Sequence, residues 1–115
     1  MTGRVKPAQP RNVLERRCNV YVAILKSKPN TGSLREEYRS RHDAYWDEHM
    51  DRLRLAGPIL SDDGQTRTGQ ILLINADDKA TAEKILTGDP FVQAGLFESW
   101  TIQRFRVSVE AGRLA

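Results

Sequence analysis

Two short stretches of the chain carry the residue types that proton-transfer chemistry requires. In the run Leu34-Arg35-Glu36-Glu37-Tyr38-Arg39-Ser40-Arg41-His42, Arg35 and Arg39 precede His42 by seven and three residues. These offsets place the three side chains within reach of one strip of a helix surface. Far downstream, Asp89 stands at a predicted helix exit, directly before Pro90. If the fold brings Asp89 to His42, the pair forms a general-base site beside guanidinium groups that can bind an anion.

The chemistry of such a pair is simple. Imidazole titrates near pH ~6.5, so a neutral His42 ring can accept a proton at physiological pH. A carboxylate on its second nitrogen would fix the tautomer and stabilise the imidazolium, while Arg35 or Arg39 holds a substrate oxygen. The residues alone leave two simpler alternatives open. His42 can be a buried histidine satisfied by a carbonyl group, and Asp89 can be a turn former that only caps the next helical turn.

Other chemistries find less support in the sequence. His49 follows His42 by seven residues, an axial rise of about 10.5 Å, which is too far for both rings to bind one metal ion from the same helix. Cys18 is the single cysteine, so no intramolecular disulfide can form, and nothing in its surroundings activates it as a nucleophile. We therefore expect neither a metal nor another cofactor. Three aromatic residues at helical spacing are typical of core or interface positions, and would alternatively line a pocket for a planar ligand: Tyr38, Tyr45 and Trp46.

Composition and charge narrow the class of protein. The chain has 115 residues, 39% of them hydrophobic and 29% charged, which predicts one globular domain. Residues 1–20 hold five basic residues and one acidic residue; since the total charge is +3, residues 21–115 sum to −1. The basic character thus belongs to the N-terminal segment, and we expect no nucleic-acid binding. No stretch is apolar enough to span a membrane and no secretory signal is present, so we expect a cytoplasmic protein.

The hydrophobic pattern predicts an irregular basic arm over residues 1–17, followed by a domain over residues 18–115. Within the domain, apolar periodicity predicts a buried strand, a long helix capped by Ser33, a short strand, a third strand, a helix capped by Asp77 or Asp78, a helical turn and a last strand. Gly57-Pro58 is expected to end the long helix. The predicted bounds are 20–25, 34–55, 59–61, 68–75, 79–87, 90–95 and 98–109.

The order β-α-β-β-α-β predicts an α+β, ferredoxin-like fold, with an antiparallel four-stranded sheet and two helices on one face. Two helices cover only one face of such a sheet. The other face is then apolar surface or an interface, and we expect a homodimer or a higher oligomer. Apolar residues of the first and last strands would supply this surface on whichever side is uncovered: Val20, Val22, Ile24, Trp100 and Ile102.

Several motifs together resemble the YCII-related (YciI-like) family of the dimeric α+β barrel superfamily. They are Arg35-x3-Arg39-x2-His42, Ala56-Gly57-Pro58, the strand with Gly69, and Asp89-Pro90-Phe91-Val92-x-Ala94-Gly95-Leu96-Phe97. The resemblance covers roughly residues 19–107, and the run that begins at Asp89 is its most specific part. The N-terminal arm, His49 and the pair Tyr45-Trp46 depart from the family pattern.

The resemblance implies a dimeric α+β barrel whose His–Asp pair would be His42 and Asp89. It implies a small, cofactor-independent lyase or isomerase, of the dehydrochlorinase or muconolactone-isomerase kind, that acts on a small aromatic or enol substrate. Substrate contacts are expected from five residues: Arg35, Arg39, Tyr45, Trp46 and Pro58. The alternative is a non-catalytic module of the same dimeric fold that binds a small ligand or serves in assembly.

Overall fold

The computed structural model describes residues 19–114, and the predicted arm of residues 1–17 lies outside the described residues. The elements follow the predicted order, including the short helical turn after Asp89, with a 3₁₀ turn and a C-terminal hairpin in addition. They are β1 (Asn19–Ser27), α1 (Gly32–Glu48), a 3₁₀ turn (Met50–Arg52), β2 (Leu53–Leu60), β3 (Arg67–Ile74), α2 (Lys79–Thr87), α3 (Pro90–Gln93), β4 (Phe97–Arg106), β5 (Val109–Glu110) and β6 (Arg113–Leu114). None of the helices within residues 19–114 is long and apolar enough to cross a membrane.

Four strands form one antiparallel sheet in the order β2-β3-β1-β4. The β-branched run of β1 lies in the interior of the sheet, where both of its edges are paired. Ala23 is opposite Leu72 of β3 on one side and Ile102 of β4 on the other. Residues that face each other across neighbouring strands share a face of the sheet. The topology confirms the predicted α+β, ferredoxin-like fold.

The sheet face that carries Ala23 is covered by the helices. Trp46 of α1 and Leu86 of α2 pack against it, and Phe91 of α3 completes the same cluster. Asp78 caps α2 as predicted, because its carboxylate accepts the Thr81 backbone N–H at 2.7 Å. The main cluster of buried residues in the described part of the chain therefore lies between the sheet and the helices.

The predicted end of the long helix is wrong. α1 ends at Glu48, and Gly57 and Pro58 lie inside β2. Proline is tolerated there because β2 is an edge strand, so the missing N–H does not interrupt a ladder on both sides. Leu55, Gly57 and Ile59 lie on one face of β2 with the period of two that is typical of a strand, while Leu53 precedes a shift in the strand register.

The predicted N-cap of α1 is also wrong. Thr31 precedes the helix, and its hydroxyl donates to the Lys28 carbonyl group at 3.2 Å instead of accepting from the helix. Ser33 is the second residue of the helix, and Glu36 pairs with Arg39 at 2.8 Å rather than with the cap. The capping-box pattern is present in the sequence, but the helix begins at Gly32, two residues earlier than that pattern requires.

Within residues 19–114, no helix covers the second face of the sheet. Val22 is opposite Leu73 and Gln103 on this face, and three large apolar side chains are exposed there: Ile24, Leu55 and Phe105. Trp100 and Ile102 are on the helix-covered face, opposite Leu25 and Ala23. Of the residues predicted to supply apolar surface, Val22 and Ile24 are thus on the uncovered face and Trp100 and Ile102 are not.

Gly69 allows β1 and β3 to approach each other. A Cβ atom at this position would clash with the backbone carbonyl oxygen of Leu25. We expect Gly69→Ala to lower the free energy of unfolding by about 1–3 kcal/mol, because the backbone of an interior strand cannot move aside cheaply. Gly32→Ala, at the exposed start of α1 with nothing within 4 Å of the new methyl group, is the control and should change stability little. Urea denaturation of both variants tests this, and equal stabilities would contradict it.

Candidate active site

Asp89 occupies the junction between α2 and α3. The C-cap of α2 is Gly88, and Pro90 is the first residue of α3, where its fixed φ and missing N–H fit a helix start. The Asp89 side chain is only 5% exposed. Its Oδ1 atom accepts the backbone N–H of Phe91 at 2.9 Å. The local sequence Gly-Asp-Pro-Phe thus holds a buried carboxylate at a fixed position above the sheet.

The same carboxylate receives two side chains from α1. His42 Nδ1 lies 2.7 Å from Asp89 Oδ1, and Trp46 Nε1 donates to Asp89 Oδ2 at 3.0 Å. His42 and Trp46 are four residues apart on the helix, so both point toward the same partner. The structure therefore brings the predicted pair His42 and Asp89 together. It also shows the capping interaction of the simpler alternative, so the carboxylate serves both purposes at once.

The hydrogen bonds around Asp89 determine the tautomer of His42. An ionised carboxylate can only accept, so the Nδ1 atom of the ring must carry the proton and donate it to Oδ1. In the neutral ring, Nε2 then bears the free lone pair. The His42 side chain remains 27% exposed, while the Asp89 side chain is buried. A ring with a buried orienting partner and an accessible second nitrogen has the arrangement of a general base.

Phe91 supports the imidazole from one side. The two rings are stacked with centroids 3.8 Å apart and an angle of 10° between their planes. The guanidinium carbon of Arg35 lies 5.2 Å from the same Phe91 centroid, which is a cation–π distance. Because the Phe91 backbone N–H also binds Asp89, one residue of α3 orients both members of the pair and one of the neighbouring arginines.

A half-open cavity of about 510 Å³ lies between α1 and the sheet, beside this pair. Its floor is apolar and includes Leu25 and Leu72, and α1 forms one wall. The volume is within the range of small-molecule sites. The polar and charged residues that line the cavity are Arg35, Arg39, His42, Asp43, Trp46, Asp47, Arg67, Gln70 and Asp89.

The arginine end of the cavity is electrostatically strained. Burial lowers the pKa of Arg35 from its usual value, and the guanidinium groups of Arg67 and Arg39 lower it further, while Asp89 acts in the opposite direction. Arg39 forms an ion pair with Glu36 at 2.8 Å. Like charges are therefore gathered beside His42, an arrangement that an anionic ligand would relieve.

Two of the residues predicted to contact the substrate, Tyr45 and Pro58, do not line the cavity. The Tyr45 hydroxyl donates to the Ile85 carbonyl group at 2.7 Å. Burial raises the pKa of Tyr45, and the nearby Asp89 charge raises it further. Pro58 belongs to β2 opposite Gln70 and does not line the cavity either. His49 stacks on Tyr45 with centroids 4.2 Å apart, and its Nδ1 atom lies 2.7 Å from the Tyr45 carbonyl oxygen.

Sequence reasoning missed Arg67 and Gln70, which join the cavity from β3. Nothing in their local pattern distinguishes them from exposed strand residues, because only the pairing of β3 with β1 brings them opposite α1. Asp43 and Asp47 of α1 also line the cavity, although they were not among the predicted site residues. Within residues 19–114, no group of three histidine, cysteine or acidic side chains is arranged to hold a metal ion.

Comparisons with known proteins agree with this architecture. The family model described as the YCII-related domain matches residues 20–106. A similar solved structure is 5-chloro-2-hydroxyhydroquinone dehydrochlorinase (TftG) from Burkholderia phenoliruptrix AC1100, in complex with 2,5-dihydroxybenzoquinone. It is 24% identical with a TM-score of 0.66, over 76% of this chain and 93% of that chain. This likeness shows a shared fold. No match was found among curated proteins.

Asp89→Asn should destabilise the protein. Three donors converge on the carboxylate, and an amide offers a single acceptor oxygen and an NH₂ group that must face another donor. We expect a loss of about 1–3 kcal/mol in the free energy of unfolding, measured by urea denaturation. Asp78→Asn is the control, because asparagine caps a helix as well as aspartate does. If Asp89→Asn proves no more destabilising than Asp78→Asn, the convergence is not energetically important.

Proposed function

Since the chain belongs to the YCII-related domain family, we propose that it is a small lyase or isomerase in which His42 is the general base and Asp89 orients it. The observation that carries the proposal is the 2.7 Å contact between His42 Nδ1 and Asp89 Oδ1 at the wall of an accessible cavity. A buried carboxylate that fixes one imidazole nitrogen leaves the other free to accept a proton.

In the proposed reaction, Nε2 of His42 removes a proton from the substrate. The charge that remains on the substrate moves onto an oxygen atom, which Arg35 and Arg39 stabilise by charge-assisted hydrogen bonds. Asp89 stabilises the imidazolium that forms. The imidazolium then returns the proton to another atom of the substrate, which is an isomerisation. Alternatively, a leaving group departs with the electron pair, which is an elimination.

The shape of the cavity favours a small, planar substrate. Its volume of about 510 Å³ accommodates a single substituted ring, and Phe91 and Trp46 provide aromatic surface next to His42. The similar dehydrochlorinase carries 2,5-dihydroxybenzoquinone, a ring of this size. We accordingly propose an aromatic or enol-type substrate. Trp46 would contact it in addition to binding Asp89, whereas Tyr45 would act by supporting α1.

The general-base proposal is tested by solvent deuterium exchange, which detects proton removal whatever the later steps are. We expect the protein to catalyse exchange of the acidic C–H hydrogens of a small panel of enolisable acids and hydroxyquinols in D₂O, followed by ¹H NMR. 5-Chloro-2-hydroxyhydroquinone belongs in the panel, with chloride release as a second readout. His42→Gln should reduce the rate by about two orders of magnitude or more, whereas His49→Gln, the control at the C-cap of α1, should not.

The outcome also distinguishes the enzyme from a binding module. If panel compounds bind with equal affinity to wild type and His42→Gln and no exchange is catalysed by either, the general-base role is wrong. The cavity would then be the ligand site of a non-catalytic protein.

We further propose that the chain forms a homodimer through the uncovered face of the sheet. The exposed fractions of Ile24, Leu55 and Phe105 are 45%, 62% and 44% in the single chain. Together with Val22 and Leu73 on the same face, they form a continuous apolar surface of the kind that a second copy covers. The C-terminal hairpin is held next to this sheet by the ion pair between Arg54 of β2 and Glu110 of β5.

Sedimentation velocity at micromolar concentration should therefore give a dimer. Ile24→Lys places a charge in the middle of the uncovered face and should shift the protein to a monomer without unfolding it, as checked by circular dichroism. Glu83→Lys, on the exposed surface of α2, is the control and should remain dimeric. A wild-type monomer, or an Ile24→Lys variant that remains dimeric, would contradict this interface.

A further inference from the structure

We infer that Arg67 and Arg35 form a clamp for the carboxylate of a small organic acid, and that this carboxylate lies within a few bonds of the atom that loses its proton to His42. Arg67 comes from the start of β3 and Arg35 from the first turns of α1, so the clamp joins the two walls of the cavity. The inference rests on the proposed function in that it assigns a substrate class to the same cavity.

Among the described residues, neither the Arg35 nor the Arg67 guanidinium forms a salt bridge, although the charge of Asp89 acts on Arg35 from a longer distance. Arg39, by contrast, is paired with Glu36. The Arg35 guanidinium lies over the ring of Phe91. A planar guanidinium presents parallel N–H donors that match the two oxygens of a carboxylate. Two such groups lining one cavity have the composition of an anion site.

Distances to Phe91 set the position of the anion relative to the base. The Arg35 guanidinium carbon is 5.2 Å from the Phe91 centroid and the His42 centroid is 3.8 Å from it. Placed end to end, these distances separate the guanidinium carbon from the imidazole centroid by at most about 9 Å. A ligand that contacts both groups has little room between its carboxylate and its reacting atom. Acids with an acidic hydrogen on the adjacent or next atom, or an ortho hydroxyl group on a ring, fit this spacing.

The acidic residues of the cavity limit the ligand to one carboxylate group. Asp43 and Asp47 line the cavity one and five residues after His42, while the arginines of α1 precede His42. The helix wall therefore changes from positive to negative along its axis, with the base between the two signs. A second carboxylate at the far end of the ligand would be repelled by these aspartates. The substrate class is thus a monocarboxylate.

The test uses three probes that differ at one group: 2-hydroxybenzoate, its neutral amide 2-hydroxybenzamide, and 2-hydroxybenzene-1,4-dicarboxylate. Binding is followed by NMR through the indole N–H signal of Trp46, which lines the cavity, with Trp100→Phe used to assign it. We expect 2-hydroxybenzoate to bind at least tenfold more tightly than either of the other probes, because each charge-assisted hydrogen bond to the carboxylate contributes about that factor or more.

Arg67→Gln should weaken the binding of 2-hydroxybenzoate about tenfold and leave the affinity for 2-hydroxybenzamide unchanged. Arg67→Lys should restore part of the affinity, since it keeps the charge and loses the planar donors. Arg41→Gln is the matched control, because Arg41 lies on α1 over the ring of Tyr38 and does not line the cavity. An Arg67→Gln variant that binds 2-hydroxybenzoate like wild type, or a wild type that binds none of the three probes, overturns the clamp.

His42→Gln separates this inference from the general-base proposal. The variant should still bind 2-hydroxybenzoate in an Arg67-dependent way, even though it catalyses no exchange. Arg67-dependent binding by a wild-type protein that catalyses no exchange supports the clamp and contradicts the general base. Exchange of monocarboxylic acids that is unaffected by Arg67→Gln supports the base and contradicts the clamp.

Discussion

The buried carboxylate of Asp89 is the interaction on which the rest of the site depends. It accepts hydrogen bonds from the imidazole of His42, the indole of Trp46 and the backbone of Phe91. These donors belong to α1 and α3, while Asp89 itself ends the α2 segment. A single buried acceptor thus fixes three elements relative to one another. A buried carboxylate without hydrogen-bond donors would destabilise the fold. Because His42 is one of the donors to Asp89, the hydrogen bond that satisfies the carboxylate also orients the imidazole.

Near its C-terminal end, α1 is tied to α2 and to the α2–α3 junction. The tie consists of the Trp46 and Tyr45 hydrogen bonds, which run from successive residues of α1 to Asp89 and to the Ile85 carbonyl group. On the opposite side of α1 the floor is formed by small or apolar residues of the sheet, among them Ala56 and Leu72. The charged side chains of α1 that line the cavity are arginines before His42 and aspartates after it.

Much of the fold could be predicted from the sequence because its signals are local. The β-branched run of β1, the aspartate before α2 and the Asp-Pro pair before α3 each act through neighbours within a few residues. Gly57-Pro58 misled the prediction because the same dipeptide ends a helix or lies in an edge strand, and only the neighbouring strand decides which. The alternation of Leu55, Gly57 and Ile59 was the stronger signal.

The candidate site was predictable only in part, for a related reason. Arg35, Arg39 and His42 are close in sequence, so helix geometry alone relates them. Asp89 was linked to them through the family resemblance. Arg67 joins them through strand pairing, which no local pattern reports. Tyr45 was assigned to the ligand because it is aromatic and next to Trp46, but a helix directs adjacent residues to different sides, and its hydroxyl reaches α2 instead.

Gly88 shows how a constraint on one residue can originate in another. Its φ of −75° is open to any amino acid, so the backbone does not require glycine. A Cβ atom there would instead clash with the ring and hydroxyl of Tyr45. The large side chain of Tyr45 on α1 is therefore accommodated because residue 88, directly before Asp89, has no side chain. In sequences that fold in the same way, the two positions should vary together, with a smaller residue at 45 wherever 88 is not glycine.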